Sequence, residues 1–400
     1  MESIKKIYKI GHGPSSSHTM GPRNAAITFR DKFPEATKII TTLYGSLAAT
    51  GKGHLTDVAI EDCFSDIESS IIWKKDTILT IHSNALKFEA YKNNEKLGEW
   101  TAYSVGGGDI VDENTIAQKD DKQIYSLTTF NDILKYCEKE GIMLWEYVYK
   151  YENDDIKTYL EEVWKTMKNA IERGIDKEGV LPGSIRLQRK ASSYYVKAKN
   201  YKGSLKRRTS VFAYALAVGE ENASGGIIVT APTCGASGTL PSVLYHLYKS
   251  YDFSKEKIIK ALATAGLIGN LVKKNASISG AQVGCQGEIG TASSMASGAA
   301  VQLFGGTPYQ IEYGAEMALE HHLGLTCDPV AGLVQIPCIE RNVFAAARAL
   351  DTSMYALLSD GKHRVSFDKT VITMNETGHD LPNLYKETSE GGLAKFFDCK

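Results

Sequence analysis

The chain has 400 residues, 43% of them hydrophobic, and a formal net charge of −1. That is enough apolar material for a large core in two or three domains, with no basic field to draw nucleic acid. No apolar run approaches the 18 or so residues of a membrane span, and none follows the lysines of MESIKKIYKI, so neither an anchor nor a secretory leader is expected.

The first 110 or so residues mix helix and strand. PRNAAITFRDKF (22–33) reads as a helix opened by Pro22, and TKIITTLYGSL (37–47), DTILTIHS (76–83) and LKFEAY (86–91) read as strands. The last passes through the polar turn KNNEK into LGEWTAYSV as a hairpin, with GGGD at 106–109 closing it. From about residue 130 the period becomes helical. TYLEEVWKTMKNAIERG places Leu160, Val163, Trp164, Met167 and Ile171 on one face, and Gly174 reads as the residue that stops the helix. Beyond Gly179 the helices VFAYALAVGEENASGG, TASSMASGAAVQLFGG and NVFAAARALDTSMYALL are rich in small residues that let backbones approach closely. The expected organisation is an α+β domain over 1–125, a helical linker over 126–157 and an all-α domain over 158–400.

Seven cysteines, an odd number spread along a long chain, point to thiols in a reducing cytosol rather than a disulfide framework. Three lie in polar, Gly/Pro-punctuated contexts: Cys285 in ISGAQVGCQGEIG, Cys327 in LGLTCDPVAG and Cys338 in IPCIERN. Their spacing matches neither the paired cysteines of structural zinc sites nor ferredoxin runs. Thiolates distant in sequence can still converge on one iron–sulfur cluster, and three on a four-iron cluster leave one iron open to a substrate oxygen. Cys63 and Cys137 read as structural. Cys234 in TAPTCGASG is a candidate site-lining thiol, and the FF before Cys399 suggests a docked tail.

Two histidines sit among glycines and hydroxyls: His18 in GHGPSSSHT and His54 in GKGHLTD, the latter with Asp57 as a candidate orienting carboxylate. The serines before His18 are placed to cap a helix, and a helix start of this kind also attracts a carboxylate or phosphate.

The segments GPSSSHT, YGSL, TGKGH, SVGGGDIVDE, NASISGAQVGCQGEIG, LGLTCDPVAGLVQIPCIERN and ETSEGGLA occur in this order from about Ile7 to Cys399. Together they resemble the single-chain iron–sulfur L-serine dehydratases (L-serine ammonia-lyases). The resemblance implies a [4Fe–4S] cluster on Cys285, Cys327 and Cys338 and makes Cys399 the tail residue that occupies the open iron at rest. No lysine stands in a recognisable Schiff-base context near a glycine-rich phosphate cup, GGG at 106–108 closing a hairpin, so no pyridoxal phosphate is expected. It implies active-site histidines at His18 and His54 in a domain like the allosteric substrate-binding domain of certain phosphoglycerate dehydrogenases, followed by a predominantly helical catalytic domain. The hydroxyls and backbone N–H groups of Ser15, Ser16 and Ser17, with Arg341 as a charge-assisted partner, would clamp the substrate carboxylate. Thr19 and Asp57 would also bind substrate, and Asn275 and Ser277 would line the helical domain's share of the pocket. L-serine is the implied substrate, in amino-acid degradation and gluconeogenesis by a cytoplasmic homodimer. A lyase acting on L-cysteine or L-threonine and a non-catalytic iron–sulfur sensor are the other readings. One departure stands out: the family's APTNG loop carries Cys234 here in place of asparagine.

Overall fold

The computed structural model describes residues 1–117 and 123–397, which divide into two compact units, Gly11–Asp121 and Met1–Ile10 with Lys122–Lys400.

In the first unit, five strands form one mixed sheet: β1 (Lys38–Tyr44), β2 (Glu68–Lys74), β3 (Ala85–Lys92), β4 (Glu95–Gly106) and β5 (Asp109–Val111). Their order is β2-β1-β3-β4-β5, parallel between β1 and β2 and antiparallel elsewhere. Asn93 and Asn94, both at positive φ, make the β3–β4 turn that asparagine tolerates best. Helix α1 (Gly21–Lys32) buries Ala25, Ala26 and Phe29, and the Phe29 ring stacks on Phe88 of β3 at 5.1 Å. Ile39, Leu43, Leu86 and Phe64 complete this core, and each fully buried side chain contributes roughly 1.5–3 kcal/mol. Lys87, Glu89, Lys96 and Glu99 form a ladder of ion pairs on β3 and β4 (Lys96–Glu89 2.5 Å, Lys87–Glu99 2.9 Å). The sheet therefore shows the apolar-in, polar-out division of a one-sided antiparallel sheet.

Two strand assignments differ from the sequence reading. GSL is not the end of a strand: β1 stops at Tyr44 and Gly45–Thr50 is helix α2, followed by α3 (Thr56–Glu61). DTILTIHS is no strand either; Ile78 is 70% exposed there, and the partner of β1 is ESSIIWK. Alternating apolar residues make a strand only where a neighbouring edge accepts their hydrogen bonds, and the β1 edge is taken by residues 68–74.

After the short helix α4 (Glu113–Ala117), the second unit is helical: α5 (Phe130–Glu140), α6 (Leu144–Tyr151), α7 (Ile156–Asp176), α8 (Ala191–Asn200), α9 (Gly203–Ala223), α10 (Thr239–Ser250), α11 (Lys255–Asn275), α12 (Gly280–Val283), α13 (Thr291–Leu303), α14 (Pro308–Glu320), α15 (Cys338–Leu357) and α16 (Phe367–Asp380). At its centre α13, TASSMASGAAVQL, is buried on nearly every side and packs against α10, α11, α14 and α15. Its alanines and serines let four helices reach it, and Ser293 and Ser294 satisfy their hydroxyls on the carbonyls of Ala345 and Ala315 (3.0 and 2.6 Å). Residues 1–10 belong to this unit. Glu152 holds the amide of Ile4 and the hydroxyls of Ser3 and Tyr125, each at 2.7 Å. The helices of 126–157 also pack here, with Phe130 edge-on to Phe367.

Gly174 does not stop α7, which runs on to Asp176. A Cβ at Gly174 would stand 2.3 Å from the carbonyl oxygen of Ala217 in α9, so this glycine lets two helix backbones touch.

Candidate active site

The first unit gathers three histidines. Ser15 caps a π-helical turn, Ser16–Met20, its hydroxyl accepting the N–H of His18 at 3.2 Å, and the turn continues directly into α1. This wide turn directs His18 inward. Its Nδ1 meets Ser17 Oγ at 2.8 Å and its Nε2 meets Ser46 Oγ, at the start of α2, at 3.0 Å. Thr56 donates to the carbonyl of His18 (2.5 Å), and Thr19 donates to that of His54 (2.7 Å), so the two histidine backbones are braced against each other. The rings lie 4.6 Å apart, tilted by 35°.

His54 Nδ1 faces the carbonyl of Thr50 at 3.2 Å. A carbonyl only accepts, so the proton sits on Nδ1 and Nε2 carries the lone pair. Burial pushes the His54 pKa down to about 4. His18 is held well below its ordinary value by burial, with the neighbouring His54 and His82 adding to the effect. Both rings are therefore neutral at pH 7, the state in which an imidazole accepts a proton. Asp57 does not orient His54; its carboxylate takes the N–H of Val58 at 3.0 Å.

The serines divide their work. Ser15 is the cap, Ser17 engages the imidazole, Thr19 is spent on the His54 carbonyl, and Ser16 is buried in the turn. Ser46 and His82 belong to this group and were not singled out from sequence. Ser46 sat in the quoted YGSL, where a hydroxyl just after a strand was the available signal.

The second unit gathers the cysteines. Cys285 precedes a second π-helical turn, Gln286–Gly290, that leads into α13; Cys327 lies in the loop after α14; Cys338 opens α15. Cys285 and Cys327 are buried with Ala236, Ile289, Ala292 and Ala345, and Cys338 is half-buried. Cys327 feels both Cys285 and Cys338, and all three feel Glu288. Desolvation pushes every one of these thiols up, Cys285 to about 12. Glu288 accepts from Thr233 Oγ1 at 2.7 Å, beside Cys234, and is raised by burial. Glu387, half-buried, is pushed up to about 8 by burial and by Glu288.

Arg341 joins this group and is already engaged. It donates to the Thr326 carbonyl at 2.6 Å and to Asp328 at 3.1 Å, and bonds the Cys285 thiol. The fork ties α15 to the Cys327 loop. Asn275 ends α11 with its amide on the carbonyls of Thr128 and Leu271 (2.7 and 2.9 Å). Ser277 lies on the cysteine turn, its carbonyl 2.7 Å from where a Gly287 Cβ would stand. Cys399 lies outside the described residues. Phe396 is 84% exposed, so the aromatic pair before Cys399 does not dock the tail through that ring.

Three thiols and two carboxyl groups against one guanidinium make a donor set short of positive charge and rich in soft sulfur, which selects iron–sulfur clusters or zinc. Among the described residues no three His, Cys, Asp or Glu side chains surround one point as a single metal ion needs. A four-iron cluster binds its thiolates on separate irons and so farther apart. The donor chemistry fits such a cluster.

Residues 76–394 match the serine dehydratase alpha chain family and residues 3–65 the serine dehydratase beta chain family. The chain belongs to the iron–sulfur L-serine dehydratase family. The L-serine dehydratase of Haemophilus influenzae is 41% identical over the whole of both chains. L-serine dehydratase 2 of Escherichia coli is 40% identical and the L-serine dehydratase of Streptomyces coelicolor 39%, each over 98% of both chains. The first alignment runs over 455 positions against 400 residues here, so that family member carries segments this chain lacks. No helix among the described residues is long and apolar enough to cross a membrane.

Proposed function

We propose that this chain converts L-serine to pyruvate and ammonia. The observation that carries the reading is its full-length similarity to proteins named L-serine dehydratase, and the histidine geometry supports the chemistry. Cys285, Cys327 and Cys338 hold the [4Fe–4S] cluster. When bound, a cluster with one iron free of protein thiolate supplies Lewis acidity toward the serine hydroxyl.

The chain's own residues do the proton work. His54, neutral and with its lone pair on Nε2, takes the Cα proton; its Nδ1–H stays fixed on Thr50. His18, bracketed by Ser17 and Ser46, holds the second proton position, where the proton that His54 took from Cα is returned to the departing hydroxyl, which leaves as water. The backbone N–H groups at the start of the 16–20 turn receive the carboxylate. Loss of water leaves aminoacrylate, which tautomerises and is hydrolysed to pyruvate and ammonia. The sheet unit is the counterpart of the allosteric substrate-binding domain, and the enzyme works in a reducing cytoplasm. A homodimer belongs to the same reading: Phe344 and Tyr355 of α15 and Leu358, which caps its end, are 67%, 58% and 84% exposed.

The test is anaerobic reconstitution with iron and sulfide, followed by pyruvate assay on L-serine and L-cysteine and 2-oxobutyrate assay on L-threonine. Turnover of L-serine above the other two is expected. Preference for another amino acid moves the assignment to a related lyase, and no product from any contradicts it in favour of a sensor.

A further inference from the structure

Asp328, one residue beyond Cys327, is only 4% exposed, and its carboxylate has three partners, one in its own loop, one on α15 and one in the C-terminal segment. Oδ1 accepts from Thr326 Oγ1 and from Arg341 Nη2, each at 3.1 Å; Oδ2 accepts from the backbone N–H of Leu393 at 2.8 Å. The C-terminal segment meets this loop a second time. The N–H of Cys327 donates to the carbonyl of Tyr385 (2.8 Å), and the carbonyl of Cys327 accepts from the N–H of Glu387 (2.7 Å), a parallel bridge. Between the two contacts the chain folds back through left-handed residues Glu387, Ser389 and Gly392. At Gly392 the approach is closest: a Cβ would stand 2.1 Å from Asp328 Oδ2, at a φ of +56° that disfavours any side chain. Apolar burial does not hold the segment, since Leu393 is 50% exposed. Its hydrogen bonds do.

We infer that Asp328 is a positioning residue: it seats the segment Tyr385–Leu393 on the Cys327 loop, and the seated segment fixes the backbone of Cys327 through both its N–H and its C=O. The consequence for iron rests on Cys327 being a cluster ligand; the seat itself does not.

The experiment is hydrogen–deuterium exchange with mass spectrometry on the full chain, anaerobically reconstituted, beside the rate at which a chelator removes iron. Wild type is compared with Asp328→Asn and with Gly392→Ala, which keeps both Asp328 and Arg341 in the chain and disturbs the seat from the segment's side should the first variant fold poorly. Both variants should exchange the 385–393 amides about tenfold faster, with α11 unchanged, and lose iron faster. Wild-type exchange in Gly392→Ala overturns the seat. Faster exchange with iron lost at the wild-type rate overturns the positioning role while leaving the cluster reading intact. A wild-type chain that takes up no iron fails the cluster reading alone, because the exchange result stands by itself.

Discussion

His18 and His54 lie ring to ring at 4.6 Å, each buried and each carrying the other's backbone through a threonine hydroxyl. Two imidazoles this close cannot both be protonated at low cost, so the pair is built to be neutral. The pH dependence of stability follows. His54 binds its proton near pH 6.5 when unfolded and only at about 4 when folded, so the unfolded chain binds more protons between those values. Stability is full above pH 6.5 and is lost as pH falls toward 4, by about 3 kcal/mol from His54 alone. Urea unfolding midpoints at pH 7.5, 6 and 5 should fall more steeply for wild type than for His54→Gln. Parallel curves would contradict the assignment.

Ser46 should matter for turnover although it holds no charge. In Ser46→Ala, Nε2 of His18 loses its 3.0 Å partner inside a buried site, at a cost of roughly 1–3 kcal/mol. A fall in kcat of about tenfold or more, with KM little changed and partial rescue by Ser46→Thr, is expected. Activity within twofold of wild type would remove Ser46 from the site.

Arg341→Lys separates two roles. The guanidinium fork serves the Thr326 carbonyl, Asp328 and the Cys285 thiol, and a single ammonium cannot hold all three. Iron per chain should drop by about half or more. If iron were unchanged while the KM for L-serine rose about tenfold, the arginine would be the substrate clamp its motif first suggested.

Gly174→Ala turns on a sign. In an open helix interior the change stabilises by about 0.5–1 kcal/mol. Here the new methyl meets the Ala217 carbonyl at 2.3 Å, and overpacking of this kind costs about 1–3 kcal/mol. A lower thermal midpoint is expected; a higher one would mean that α7 and α9 do not touch at this position.

Much of the candidate site was legible because its parts are local. A hydroxyl run before a histidine makes its own cap, and cysteines among glycines and prolines announce turns, so His18, His54 and the three cysteines stand out as candidates from their neighbours, while their roles come from the resemblance. What was hidden is tertiary. Ser46 reaches His18 from 28 residues away, and Asp328 meets Leu393 across 65. DTILTIHS alternates as a strand should, yet ESSIIWK won the place beside β1, and no local pattern decides which of two segments reaches an edge. Gly174 looked like a stop because glycine stops helices more often than it joins them. Arg341 stands out as a candidate carboxylate partner, but the sequence does not show the Thr326 carbonyl and the Asp328 carboxylate that it meets.

Iron bound per chain is the most direct measurement of the central claim. Anaerobically reconstituted wild type should carry about four irons with matching sulfide and a visible iron–sulfur band. Cys285→Ser, Cys327→Ser and Cys338→Ser should each lose most of both, whereas Cys63→Ser and Cys137→Ser should keep them. Retention of wild-type iron and absorbance in all three of the first set would contradict the account.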